Sequence, residues 1–292
     1  MITTTTTPPT STRRARWGFL FSLVTVLALT GNLAAGVLVA PTVVLLSDKN
    51  RTARLEINNP GTTPQEVTIA FAYGLPESDS IGNVRVALQN TNVTDPRSAM
   101  EWVKAFPRQM VIPPNGSQVI RFVVNPPKGL ADGEYWARVV VRSKESEQTI
   151  PKPSEEGSIT TKLNMIMQTA IMLKYRTGTL NSLVAITGSE AVKTDSTVVV
   201  TMDMENRGNV SYVGVLTCRL LDTNKKEISR TQTDLAVYRQ LKRRMELPLN
   251  GVTSRCSVEV SLTTEGRTDL APEDVIPGNK VFSTVEVDQG NR

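Results

Sequence analysis

The sequence predicts an all-β chain of two immunoglobulin-like β-sandwiches in tandem behind an N-terminal signal segment. Three observations predict it. Short stretches of alternating apolar and polar residues recur along the chain, whereas long 3.6-residue periodicity is almost absent. Turn-forming clusters such as Asn58-Asn59-Pro60-Gly61, Pro113-Pro114-Asn115-Gly116 and Asn206-Arg207-Gly208-Asn209 punctuate those stretches. Residues 36–292 are also numerous enough for two domains that each bury a core.

The first 35 residues stand apart. Met1 to Thr12 is a Thr/Pro-rich tail with no core-forming content. Arg13, Arg14 and Arg16 then precede an apolar run, Trp17 to Leu29, followed by the small residues Gly31, Ala34, Ala35 and Gly36. Basic, apolar and small segments in that order read as a signal peptide cut near Ala35. The alternative is a retained anchor, since Trp17 to Ala40 spans a bilayer if Ser22, Thr25, Thr30 and Asn32 are counted in. The segment carries three arginines and no acid, so a formal charge of +5 falls to +2 without it. Lys242-Arg243-Arg244 is the one basic cluster left, read as a solvated strand end or turn, and no nucleic-acid partner is expected.

Each element follows from local pattern. Gly36 to Leu46 is Val/Leu-rich and reads as a strand. Thr52 to Asn58 alternates, with Ala53, Leu55 and Ile57 on one face and Arg54 and Glu56 on the other. Val67 to Ala72, Met110 to Ile112, Gln118 to Asn125 and Glu134 to Arg142 follow as strands. Asp95 to Lys104 reads as a short helix or irregular loop with Trp102 as a core anchor. After the polar stretch Ser143 to Ser158 comes a long strand-like run, Ile159 to Tyr175. The second half repeats the style in Thr197–Glu205, Val213–Leu221, Gln240–Leu247, Ser257–Leu262 and Val281–Val287, with a hairpin-like turn at Asp222–Lys226. The expected division is 1–35 signal segment, 36–176 first sandwich and 177–292 second sandwich.

Composition narrows the chemistry. The chain contains no histidine, which removes the commonest general base, metal ligand and partner of a Ser or Cys nucleophile. Two cysteines alone do not make a structural zinc site, and no Gly-rich phosphate loop is present. Glu155-Glu156 lies in a polar, Pro-containing stretch and reads as a solvated loop. No enzyme activity, cofactor or metal is therefore expected. Cys218 and Cys256 permit one disulfide in an oxidising compartment, or two buried thiols.

Several motifs, in order, carry a resemblance. Pro41, Arg51 to Asn58 with Asn59 at the strand end, Phe106-Pro107, and Val111-Ile112-Pro113-Pro114-Asn115-Gly116-Ser117-Gln118-Val119-Ile120-Arg121 resemble the N-terminal domain of PapD-like periplasmic pilus chaperones. Gln168-Thr169-Ala170-Ile171-Met172-Leu173-Lys174-Tyr175-Arg176 resembles the end of that family's G strand. The likeness covers roughly residues 37 to 176. It implies a periplasmic or cell-envelope protein that binds pilus or other surface subunits by lending them an edge strand, a form of β-augmentation.

On that reading Leu163, Met165 and Met167, spaced by two, are the donor residues. The alternative is that the three simply face their own core. Two positions depart from the family pattern: Val43 and Met172 align with the basic pair that anchors a client carboxylate, and neither can donate to one. Asp132-Gly133-Glu134-Tyr135 also replaces the family's Glu-Ser-containing stretch. The second function that the residues allow is a structural or adhesive envelope module on the same scaffold, without client folding. A membrane contact is expected only through an uncleaved N-terminal segment.

Overall fold

A computed structural model describes residues 36–91, 93–146 and 165–288. Strands dominate it, and among the described residues no helix is long and apolar enough to cross a membrane. The signal segment, Glu155-Glu156 and Leu163 lie outside the described residues.

In chain order the first half contributes β1 (Leu38–Ala40), β2 (Val43–Ser47), β3 (Thr52–Asn58), β4 (Gln65–Ala72), β5 (Pro76–Ser78), β6 (Val84–Val86), β7 (Val103–Phe106), β8 (Gln109–Ile112), β9 (Ser117–Val124), β10 (Gly133–Glu145) and β11 (Ile166–Thr177). Two sheets, ordered β1-β3-β9-β7 and β2-β11-β10-β4-β8, face each other. Between them lies a core of alternate residues, including Leu55 and Ile57 of β3, Ile120 and Phe122 of β9, and Leu173 and Tyr175 of β11. The alternation read in Thr52–Asn58 is what turns Leu55 and Ile57 inward.

The second half contributes β12 (Val184–Lys193), β13 (Thr197–Asn206), β14 (Tyr212–Asp222), β15 (Glu227–Val237), β16 (Gln240–Pro248), β17 (Cys256–Thr263) and β18 (Val281–Asp288). They run in the order β15-β14-β17-β18-β12-β13-β16. This sheet folds over a second core that includes Val198, Val200, Met202, Leu216, Leu220, Val258 and Val260. Strands β12 and β18 join its two halves through a short parallel pairing, Ala191↔Val287 and Val192↔Asp288. The architecture is two immunoglobulin-like sandwiches, as the strand spacing predicts.

The structure corrects two of these readings and chooses between stated alternatives in two others. The single strand expected over Gly36–Leu46 is two, interrupted at Pro41-Thr42. A proline offers no N–H to a ladder, and the chain uses the break to change sheets: β1 pairs with β3, while β2 pairs with β11. Asp95–Lys104 is irregular, but its end enters β7, and Trp102 is half-buried, edge-on to Tyr135 and Tyr175 at centroid distances of 5.9 and 5.1 Å. Lys242-Arg243-Arg244 is not a solvated end. It lies mid-strand in β16 and is half-buried, because β13 flanks one edge and a hairpin from the first sandwich covers the other.

Cys218 and Cys256 form no disulfide; both are free and buried. They sit on paired strands but out of register, Cys218 opposite Val260 and Cys256 opposite Asp222. Four residues of offset along a strand amount to roughly 13 Å, whereas bridged Cα atoms lie within about 7 Å. Burial pushes the Cys218 thiol up to about 12. Alkylation after denaturation without reductant should therefore label both cysteines, and added reductant should leave the melting temperature unchanged. An unlabelled pair would contradict the free-thiol assignment.

Candidate functional site

Strand β11 pairs antiparallel with β10 along its whole length, from Ile166 opposite Lys144 to Thr177 opposite Gly133. On its other side it pairs with β2, in parallel, only from Met172↔Val43 to Arg176↔Ser47. The segment Ile166–Ile171 is thus flanked by β10 on one side only, and its other side has no strand beside it among the described residues. Its main-chain groups alternate toward β10 and toward open space.

The side chains sort by the same period. Ile171, Leu173 and Tyr175 enter the first core. Met165 and Met167 share their phase but stand beyond the core's end, 55% and 40% exposed. Gly36 lies against Met167, where a Cβ at position 36 would sit 3.1 Å from its Cγ. Among the described residues nothing encloses the two methionines. Ile166, in the opposite phase, is 69% exposed.

The two positions aligned with a carboxylate anchor meet as partners across β2 and β11. Val43 is half-buried, and Met172 is buried against Tyr73, Trp136 and Tyr238. Arg138 faces Met172 across the ladder, but its Nε donates to the Gly74 carbonyl at 3.0 Å, toward β4 and away from the open edge. Neither Val43 nor Met172 supplies a cation, so the geometry holds no basic pair at these positions.

What the sequence reading missed lies on the outer face of the same strand. Lys174 and Arg176 alternate with the core residues and would ordinarily point to water. Here that face is covered by the second sandwich. The Glu134 side chain is wholly buried and accepts at Oε1 from Trp136 Nε1 at 2.6 Å and from Ser211 Oγ at 2.5 Å, with Lys174 Nζ at 3.3 Å. Its Oε2 accepts from Arg176 Nε at 2.9 Å. Lys174 Nζ also donates to Ser211 Oγ at 2.6 Å and lies 5.3 Å from the Tyr238 ring centroid. Arg176 reaches onward to the Asp274 carbonyl at 2.8 Å.

Burial alone would raise Glu134, but Lys174 and Arg176 outweigh it and hold the carboxyl below its usual range. Burial pulls Lys174 below the ordinary lysine value, against the attraction of Glu134. Gly133, at a φ of +133°, lets the two sandwiches meet here: a Cβ would stand 2.4 Å from the Asn209 carbonyl. A second ion pair, Arg239 with Asp95, spans the junction near Tyr73, whose hydroxyl donates to Asp95 at 2.6 Å. The readable signal was the pattern of Lys174 and Arg176 in step with Met172, charges alternating with core residues on a strand too apolar to be peripheral.

No protein-family model matches the chain, and no curated protein matches it. Solved structures similar to it include a chain of the CsuC–CsuE chaperone–tip adhesion subunit pre-assembly complex from the archaic Csu pili of Acinetobacter baumannii. That chain is 10% identical, with 87% of this chain and 100% of that chain covered, at a TM-score of 0.45. Another is the class 5 fimbriae chaperone CfaA, 14% identical, covering 86% and 99%, at a TM-score of 0.43. The Escherichia coli chaperone DraB is 14% identical, covering 87% and 97%, at a TM-score of 0.41.

Removing one member of a buried charge cluster leaves the others unpaired and costs about 3–5 kcal/mol. Glu134→Ala should lower stability by that order in chemical denaturation and loosen the packing of Tyr238 against Trp136. Because Glu134 is held low, its contribution is fully present above the ordinary glutamate value of 4.5 and is lost as pH falls through its folded value. An acid titration of wild type and Glu134→Ala should converge at low pH; parallel curves would contradict this role.

Proposed function

We propose that this chain is an exported chaperone that binds pilus or other surface subunits by lending them the open half of β11. One observation carries the reading: among the described residues the outer edge of Ile166–Ile171 has no neighbouring strand, on a strand whose other half is pinned in the first sandwich, with Met165 and Met167 exposed in the core phase. A subunit lacking a strand would add its own chain to that edge and receive the methionines into its gap. Each buried side chain of this size is worth roughly 1.5–3 kcal/mol before ordering costs. Methionine adapts to partners of unlike shape.

The sequence resemblance supports the same assignment, with Leu163 as the third donor and residues 1–35 as the export signal. It also marks a difference. With Val43 and Met172 at the anchor positions, the client is held by edge hydrogen bonds and apolar burial, not by its terminal carboxylate. No catalytic step is assigned to this chain.

Replacing Met165 and Met167 together with Asp should abolish the complex with a co-expressed subunit, read by pull-down from the periplasm and mass spectrometry. Because both residues are exposed, the chain itself should lose no more than about 0.5 kcal/mol of stability. Undiminished capture by the double variant would remove the donor-strand reading and leave a structural or adhesive envelope module.

A further inference from the structure

Two distant segments of the chain meet at Met167. Strand β11 brings the residue in, laddered to Ser143 of β10. The first described residue, Gly36, reaches it from the facing sheet. Its place is fixed from downstream, since Val37 packs on the first core and Leu38 is already paired with Asn58 of β3. Gly36 has a φ of +99°, in the left-handed region that favours glycine.

The contact runs along the side chain. A Cβ on residue 36 would stand 3.1 Å from Met167 Cγ, 3.3 Å from its Cε and 3.5 Å from its Cβ. Carbon atoms in good contact sit about 3.5–4.0 Å apart, so the thioether arm lies where only a bare glycine backbone leaves room. A methionine side chain is unbranched and takes many shapes; against this backbone it takes few. On the opposite face of the strand Gln168 is tied to β10, its Oε1 accepting from Arg142 Nε at 3.0 Å. Met165 has less support. It precedes Ile166, the first residue laddered to β10, and is 55% exposed against 40% for Met167.

We propose that Gly36 is a positioning residue for client binding: it seats the Met167 side chain in the core phase before a client arrives. The two methionines then differ in part, Met167 as the fixed anchor and Met165 as the adaptable contact. Only glycine serves at position 36, since any side chain would both strain its φ and push the thioether off the backbone. This inference rests on the β11 reading of client binding and adds to it a residue from the far end of the first sandwich's sequence.

Peroxide oxidation of the full chain, followed by peptide mass spectrometry, reads the seat without a client. Met165 should be oxidised at least about threefold faster than Met167 in wild type, and Gly36→Ala should raise the Met167 rate at least about threefold while leaving Met165 unchanged. Met172 and Met202, both buried, should stay unoxidised in each and report an intact fold. Capture of a co-expressed surface subunit then reads the consequence. Gly36→Ala should weaken it about tenfold, add nothing to Met167→Ala, and add its full effect to Met165→Ala. An unchanged Met167 oxidation rate in Gly36→Ala would overturn the proposal. So would a Gly36→Ala penalty as large on Met167→Ala as on wild type, which would reduce position 36 to backbone strain. The oxidation readout involves no partner, so its failure is told apart from failure of β11 to capture a client.

Discussion

Glu134 is the point on which the arrangement turns. A carboxylate wholly inside protein is tolerable only when its charge and lone pairs are met, and here they are met by groups from both sandwiches. Lys174 and Arg176 come from the strand beside it, and Ser211 comes from the second half of the chain. Because the cations lie on β11, the cluster does two things at once. It fixes the second sandwich against the first, and it immobilises the C-terminal half of the strand whose N-terminal half is open.

That coupling gives the open edge its physical meaning. An isolated edge strand is a liability, ready to pair with any chain. Met172–Arg176 is held by β2 on one side, by β10 on the other and by the Glu134 cluster above, while the remainder of β11 is laddered on β10 alone among the described residues. On the proposed reading this lowers the ordering cost that a client's binding would carry. The edge of β16 shows the contrary treatment: the same chain that leaves one edge open covers another with its own hairpin.

Much of this was legible in the residues. The alternation of Thr52–Asn58 and the turn at Pro113–Gly116 located β3 and the break between β8 and β9, because one-sided burial and turn chemistry are local. Strands β12 and β15 carried no such signal. Gly188, Ser189 and Glu190 interrupt one, and the other, Glu227–Val237, is polar over most of its length. The junction was hidden for another reason. Lys174, Arg176 and Glu134 look like solvent-facing residues of ordinary strands, and only the return of Ser211 and Tyr238 from distant sequence buries them. The methionines at 165 and 167 were readable as a phase, but their exposure depends on where β2 begins.

The most direct measurement is amide hydrogen exchange across Ile166–Ile171, with the chain free and in complex with a co-expressed surface subunit. The amides of this segment that face away from β10 should exchange quickly in the free chain and become strongly protected in the complex, while Leu173 and Tyr175 stay protected in both. Equal exchange in the two states, with the complex intact, would contradict the claim that β11 is the strand on which a client folds.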